Sequence, residues 1–493
     1  MRDHAGMTLP SPPAGSGATA TANPIAAEHY GSKTLAVEPG GVDVIPLSER
    51  HGNPRHLLWT WTSPNLEFAT IAVGILGVLF FGLTFWQCVA AIVLGTALGS
   101  ITHGILSSWG PGSGMCQMVL SRSGFGFLGN ALPAGINAVV AGIGWFAVNS
   151  ISGALALHAL LPGLATPLCL VVVVAAMLLV AFIGHNLVHA FERYALPVLA
   201  VVFVLGAVVI FSKSDPGQAA LPGGPPPIGG FLLMTGATFG YACGWNPYAS
   251  DYTRYLLPGS GRAAGIGAGM GVFFSCVVLE SAGAAMVSAV GKSAALDPGV
   301  YTSVMPSVLG KLTLFCIALG AVAANALNIY SGAMSFLSLG FSVPIRRARG
   351  IVAVVFGVAG LLLALAGLGN AGANYESFLL VISYWIGPWL GVVLVDRYLR
   401  RGTDISGLLT NRGHRNWAGP IAMAVGMVLS IWLFSNQEKY VGLVPSAHPQ
   451  AGDLTFEVGF VVAALLYAVL FRTLGSPTPA GAPAATSPSL PRV

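Results

Sequence analysis

Long apolar runs, recurring from one end of the chain to the other, constrain its fold more than any other feature. Each run has about the 20 residues that a helix needs to cross the roughly 30 Å hydrocarbon core of a bilayer. Charged residues make up only 8% of the chain, against about 25% in soluble domains. The sequence predicts an all-α integral membrane protein with about twelve transmembrane helices, which we call crossings 1 to 12, at residues 59–85, 87–109, 127–160, 166–184, 194–212, 229–250, 264–290, 312–340, 350–369, 376–396, 417–435 and 456–473.

The basic residues predict the orientation of these crossings. If both termini are cytoplasmic, every Arg and Lys33 lie inside, and the outer side holds only Lys213, Lys292, Lys311 and Lys439. Because cytoplasmic loops are enriched in Lys and Arg, we expect cytoplasmic termini and a location in the plasma or inner membrane. The net charge of +5 follows from this topology. Since the Arg residues form no basic stripe, it does not indicate a nucleic-acid partner.

The chain divides by composition into four parts. Residues 1–56 and 476–493 are rich in Ala, Gly, Pro, Ser and Thr, and we expect both to be disordered cytoplasmic tails. Residues 57–401 contain ten crossings, and residues 402–475 add two more. No catalytic, cofactor-binding or metal-binding motif is found in the sequence, so we do not expect an enzyme, a cofactor or a metal site.

Two crossings are predicted to be broken. Crossing 6 contains GWNPYASDYTRYL at 244–256, where Gly244 and Pro247 disfavour helix; crossing 1 contains WTWTSPNLEF at 59–68, with Pro64. Broken backbone inside lipid survives only where it faces protein or a cavity, so each break marks a site. The offset of five crossings is the one expected if crossings 1–5 and 6–10 are inverted repeats.

Aromatic and amide side chains near the breaks are candidates for binding a ligand. Trp145 and Asn149 in crossing 3 are four residues apart and so share a helix face. Together with Trp245 they provide two flat rings to hold a planar heterocycle and an amide to recognise its edge. The alternative is that both Trp residues serve in packing or as anchors at the membrane interface.

Crossing 8 carries a second amide pair, Asn325 and Asn328, three residues apart on one face. These amides are either ligands or a means of holding helices together by hydrogen bonds.

Acidic residues inside a membrane are candidates for carrying a proton. Glu67 lies in crossing 1, Glu280 in crossing 7 and Glu192 between crossings 4 and 5. For Glu192, an interfacial ion pair with the adjacent Arg193 is the alternative.

At these positions the chain resembles the nucleobase:cation symporter-1 family, and within it the purine–cytosine permease branch. The resemblance is carried by VEPGGVDVIPLSER (37–50), WTSPNL (61–66), GMCQMVLSRSGFGFLGN (114–130), GWFAVNS (144–150), VHAFERY (188–194), GWNPYASDYTRYL and NALNIYSG (325–332). It implies a transporter fold of five-plus-five inverted repeats, and uptake of a small heterocyclic base together with a cation across a lipid membrane.

The family motifs also imply roles for individual residues. Glu192 in VHAFERY matches an acid that the branch requires for function. The segment NALNIYSG carries a binding Asn in the family, and either of its two Asn residues is a candidate. The substrate-binding positions of the family therefore fall on Trp145, Asn149, Trp245, Ser63 and Asn325 or Asn328.

The coupling ion is the point where the chain departs from sodium-coupled members, which take hydroxyl ligands from helix 8. Between Thr313 and Ser331 this chain has no Ser or Thr, so a proton is favoured over sodium. The sequence thus predicts a proton-driven importer of cytosine or a purine. The alternatives are uptake of uracil, allantoin, a hydantoin or a vitamin, possibly coupled to sodium, and, from other classes, a channel or a membrane-embedded enzyme. The last two are disfavoured because neither rings of charge nor a catalytic cluster is found.

Overall fold

The computed structural model describes residues 41–183, 185–341 and 345–474, with backbone alone at residues 141, 181–196 and 345–349. In these ranges the regular structure is helical apart from two isolated bridges, Gly126 with Arg415 and Asn436 with Val441. The expected tails fall mostly outside the described residues, at 1–40 and 476–493.

Each of the twelve predicted crossings corresponds to one helix or to two successive helical segments. In chain order these are His56–Thr62 with Phe68–Leu79, Phe85–Ser107, Ala131–Val139 with Phe146–Leu160, Thr166–Ile183, His185–Lys213, Pro227–Cys243 with Ala249–Thr253, Gly261–Val290, Ser307–Ser338, Ile345–Gly367, Ala371–Leu399, Ala418–Phe434 and Thr455–Thr473.

Length and apolar character alone support a membrane-spanning chain. Among the described residues, six helical spans are long and apolar enough to cross a bilayer, and a seventh qualifies if the bent pair of crossing 1 is one span. One of the six, Gly350–Leu399, contains both crossing 9 and crossing 10. Of the other crossings, crossing 6 is interrupted by its turn and crossing 11 has 17 residues, while crossings 4 and 5 are counted only over residues 166–180 and 197–213, because the side chains at 181–196 are not described.

The structure confirms both predicted breaks. Crossing 1 passes through a single 3-10 turn, Ser63–Asn65, and its two halves meet at an angle of 62°. Crossing 6 passes through a matching turn, Asn246–Tyr248. Pro64 and Pro247 lie inside these turns, where their missing N–H groups break the helical hydrogen-bond pattern.

The packing of the crossings follows the expected repeat. Crossings 1, 2, 6 and 7 pack together in one group, and crossings 3, 4, 8 and 9 in a second. Crossings 6 and 7 are the repeat partners of crossings 1 and 2, and crossings 8 and 9 are the partners of crossings 3 and 4. Each group therefore contains both members of two related pairs, as inverted repeats require. Crossing 5 packs on crossings 7 and 8, crossing 10 on crossing 6, and crossing 12 on crossings 10 and 11.

Two side chains within residues 41–55, which the sequence assigns to the N-terminal tail, are buried against the helices: Ile45 and Arg50. Ile45 is 1% exposed, and the Arg50 guanidinium donates to the carbonyls of Ile45 at 3.0 Å and Pro111 at 2.6 Å. We call the side of the molecule that carries these residues the proximal face, and the opposite side the distal face.

Glycine allows the second half of crossing 1 to lie directly against crossing 7. A Cβ at Gly74 would stand 1.6 Å from the carbonyl oxygen of Glu280, and a Cβ at Gly283 would stand 1.9 Å from that of Ile71. Small residues at such contacts let the two backbones approach closely, and van der Waals packing then holds membrane helices together.

We therefore expect Gly74→Ala and Gly283→Ala each to lower the melting temperature of the purified protein, since overpacking costs about 1–3 kcal/mol. The control is Gly135→Ala in crossing 3, where a Cβ would meet no atom within 4 Å. Equal melting temperatures for the three variants would show that this contact does not hold the crossings together.

Candidate functional site

Two indoles, from crossings 3 and 6, lie parallel and close together. Trp145 ends a π-helical turn, Val140–Trp145, inside crossing 3, and turns of this kind often mark functional sites. Trp245 follows the first half of crossing 6. Their ring centroids are 6.5 Å apart, their planes differ by 6°, and they are 7% and 6% exposed. A flat ligand ring in van der Waals contact with both indoles needs about 7 Å between the two indole planes.

Asn65, in the break of crossing 1, holds Trp245 in place. Its Oδ1 accepts from Trp245 Nε1 at 2.9 Å, while its Nδ2 donates to the carbonyl of Trp61 at 2.8 Å and to Ser275 Oγ at 3.0 Å. Asn65 is buried and connects crossings 1, 6 and 7. The sequence did not single it out as a site residue, although an Asn next to Pro64 in a membrane helix was a signal that pointed to it.

Glu67 lies where crossing 1 resumes its helix. Its backbone is extended, with φ −151° and ψ 173°, and the side chain is 1% exposed. The hydroxyl of Tyr241 approaches Glu67 Oε1 at 3.5 Å and Thr70 Oγ1 at 2.5 Å. The Tyr241 ring also packs edge-on against Trp145, with 5.5 Å between centroids, so Tyr241 contacts both Glu67 and one of the two indoles.

Three amides form a cluster beside the indoles. Asn325 Oδ1 accepts from Asn149 Nδ2 at 3.0 Å and from Asn328 Nδ2 at 3.2 Å. Asn325 Nδ2 donates to the carbonyl of Phe146 and to the sulfur of Met177, both at 3.0 Å. Asn325 is therefore fully engaged, whereas Asn328 Oδ1 has no hydrogen-bond partner among the described residues.

The amide of Asn149 also reaches Glu67. When its nitrogen donates to Asn325, its oxygen stands 3.1 Å from Glu67 Oε1 and 3.3 Å from Oε2. When the amide is turned by half a rotation, the nitrogen donates to Glu67 instead, and the oxygen accepts from Asn328 Nδ2 at 3.3 Å. The hydrogen-bond network assigns the two atoms of an amide, and here the nitrogen can serve one of two acceptors at a time.

A cavity of about 460 Å³ lies between crossings 1, 3 and 10, towards the distal face. Phe68, Ile151, Tyr375 and Phe378 are among the residues that line it. Phe378 also packs edge-on against Trp145 at 5.0 Å, so the cavity reaches the indole pair at this side chain.

The proximal side of the indole pair is packed with aromatic rings. Trp61 contacts Trp245 at 5.8 Å and Tyr252 at 5.4 Å, and Tyr252 contacts Tyr330 at 5.7 Å between centroids. Access to the site in this conformation is therefore from the distal face.

Three of the predicted residues are not joined to this cluster by any contact that the structure describes. The Ser63 hydroxyl donates to the carbonyl of Thr60 at 3.4 Å. Glu280 accepts from Thr96 Oγ1 at 3.1 Å, between crossings 7 and 2. Glu192 is in the helix of crossing 5, and its side chain lies outside the described residues. The described part of the chain contains no group of three or more His, Cys, Asp or Glu residues that could hold a metal ion.

Broken helices from two repeats, meeting at polar side chains midway along the crossings, define a secondary transporter. Residues 44–459 match the family described as "Permease for cytosine/purines, uracil, thiamine, allantoin". The chain belongs to this family, the nucleobase:cation symporter-1 transporters, and to its purine–cytosine permease branch. It is a multi-pass membrane transporter and not an enzyme.

Relatives of known name match over most of the chain. The purine-cytosine permease fcyB of Emericella nidulans is 28% identical over 459 residues, covering 88% of each chain. The putative purine-cytosine permease YxlA of Bacillus subtilis is also 28% identical over 459 residues, covering 89% of this chain and 96% of its own. Mhp1, solved in a closed conformation with bromovinylhydantoin bound, superposes with a TM-score of 0.69 over 89% of this chain and 96% of its own. At 20% identity this likeness shows the shared fold.

Proposed function

We propose that this protein imports a nucleobase such as cytosine or a purine through the cell membrane, driven by a co-transported proton. The observation that carries the proposal is the parallel pair of indoles, 6.5 Å apart, with amide and carboxyl groups at its edge. Relatives named purine-cytosine permeases support the choice of substrate.

The base would lie flat between Trp145 and Trp245. Each aromatic contact adds about 0.5–1.5 kcal/mol beyond area burial. Asn149 and Asn328 would recognise the edge of the ring, since an amide both donates and accepts hydrogen bonds. Asn328 is preferred over Asn325 because its oxygen has no partner in the described part of the chain. Ser63 would contribute only after its hydroxyl turns away from Thr60.

Transport would follow alternating access between the two faces. We assign the proximal face to the cytoplasm, because the basic residues concentrate there. The distal cavity would then admit the base from outside. Release to the cytoplasm would require separation of the proximal aromatic rings by movement of one group of crossings against the other.

The packing at the break of crossing 1 supports a proton as the coupling ion. The carbonyl of Leu66 faces Gly320 of crossing 8, where a Cβ would stand 2.3 Å from the carbonyl oxygen. Gly320 has no side-chain oxygen to complete a cage for sodium, a hard cation that prefers oxygen ligands. Glu192, Glu67 and Glu280 are acids that can carry a proton instead.

A second candidate is uptake of another small heterocycle by the same site. The family description includes uracil, thiamine and allantoin beside cytosine and purines, and amide groups suit these rings as well. Competition of radiolabelled cytosine uptake by a panel of bases, hydantoins and vitamins separates the two candidates, because the transported class competes most strongly.

We expect Trp145→Ala and Trp245→Ala each to raise the KM for cytosine at least about tenfold, the equivalent of 1.4 kcal/mol, because each removes one face of the slot. Radiolabelled uptake is measured in cells with equal amounts of transporter at the surface. Trp86→Ala, at a side chain 64% exposed, is the matched control and should retain the wild-type KM. Unchanged KM values for Trp145→Ala and Trp245→Ala would show that these residues serve in packing and do not bind the base.

In membrane vesicles, we expect uptake to follow an inward proton gradient, to fall as external pH rises, and to be unaffected when sodium is replaced by potassium or choline. Glu192→Gln should prevent accumulation, since an amide cannot release a proton. A requirement for sodium at constant pH would overturn proton coupling and indicate an ion site built from backbone carbonyls.

A further inference from the structure

Building on the proposed function, we propose that Glu67 binds the base directly, and that the proton and the base bind there as one unit. The carboxyl group would pair with a ring nitrogen and the exocyclic amine next to it, an edge that cytosine and adenine share. Glu67 would thus be both the residue that selects the substrate and the residue that makes its binding depend on a proton.

The position of Glu67 supports direct contact. Tyr241, which approaches its carboxyl group, packs against Trp145. Asn149, which reaches it from crossing 3, is four residues from Trp145 and so on the same face of that helix. On the other side, Asn65, two residues earlier in the same break, holds Trp245. The break of crossing 1 therefore runs along the edge of the slot, with Glu67 beside a ring held between the indoles.

The Asn149 amide can accommodate Glu67 with or without a proton. While Asn149 Nδ2 donates to Asn325, two oxygens face each other at 3.1 Å, that of Asn149 and Oε1 of Glu67. A proton on Glu67 turns this contact into a hydrogen bond. Once the proton leaves, half a rotation of the amide lets its nitrogen donate to the carboxylate and its oxygen accept from Asn328 Nδ2, at the cost of the Asn149–Asn325 hydrogen bond.

The groups around Glu67 allow its carboxyl group to be either protonated or deprotonated. Its hydrogen-bonding neighbours are Tyr241 and the amide of Asn149; Tyr375 of crossing 10 donates to the carbonyl of Ala69 at 2.8 Å, and Glu280 of crossing 7 bonds Thr96. In the described part of the chain, Glu67 has no ion pair with Lys, Arg or His. Glu67 directly precedes the half-helix Phe68–Leu79, and the N-terminal end of a helix stabilises a nearby negative charge by about 0.3–1 kcal/mol.

The pairing needs one proton and no other reactant. A protonated Glu67 donates its O–H to the ring nitrogen and accepts from the exocyclic N–H. If the proton moves to the ring nitrogen, the carboxylate accepts both N–H groups, and the net charge of the pair is unchanged. Charge-assisted bonds of this kind are about twice as strong as neutral ones. Uracil and hypoxanthine carry N–H beside a carbonyl, an edge that pairs with the acid but cannot take its proton, so they should bind more weakly.

The test is the equilibrium affinity of the purified full-length transporter for cytosine, from mildly acidic to mildly alkaline pH. Where Glu67 has lost its proton in the free protein, wild-type affinity should fall about tenfold for each unit rise in pH, because one proton accompanies each base. Glu67→Gln, whose amide resembles the protonated acid, should bind cytosine with an affinity independent of pH and with less preference over uracil. Glu438→Gln, at an exposed side chain between crossings 11 and 12, is the comparison and should keep the wild-type pH dependence.

Two results would overturn the inference: full pH dependence in Glu67→Gln, or no base binding by that variant although it melts at the wild-type temperature. A wild type that binds no base would instead overturn the proposed function. Carbodiimide labelling of the wild type, read by mass spectrometry, tests the contact without any variant. Cytosine should protect Glu67 from the reagent and leave labelling of Glu280 unchanged, and equal labelling of Glu67 with and without cytosine would also contradict direct binding.

Discussion

The rest of the structure depends on unpaired backbone at the two helix breaks. Inside a bilayer, N–H and C=O groups released from a helix must find partners within the protein. Pro64 and Pro247 release such groups at matching positions in the two repeats. Neighbouring helices therefore have to approach closely at both breaks, as the Gly320 contact with the carbonyl of Leu66 shows. This approach brings side chains from crossings 1, 3, 6 and 8 into one cluster.

Much of this arrangement could be predicted from the sequence, because the periodic and composition-based signals are strong. The apolar runs predict the crossings, and the two prolines with polar neighbours predict the helix breaks and the inverted repeat. The spacing of Trp145 and Asn149 placed a ring and an amide on one helix face. The structure adds that Trp145 and Trp245 are parallel and that Asn149 contacts Asn325.

Other features could not be read from the sequence because they depend on distances between helices. Tyr241 and Phe378 are ordinary aromatic residues in apolar runs, and only packing shows that both contact Trp145. The sequence does not distinguish Glu67 from the other membrane acids, since it does not show that the carboxyl group of Glu67 contacts the amide of Asn149. The count of spans by length and composition falls short of twelve, partly because crossings 9 and 10 form one continuous helical span, crossing 6 is interrupted and crossing 11 is short.

The central claim is that a base lies flat between Trp145 and Trp245 with its edge towards Glu67. An experimental structure of the transporter with cytosine bound tests this most directly. The account predicts density for a planar ring between the two indoles, with their centroids about 7 Å apart and the ring nitrogen and amine facing Glu67. Cytosine bound elsewhere, for example in the distal cavity beside Phe378 with the indoles still in their present positions, would contradict it.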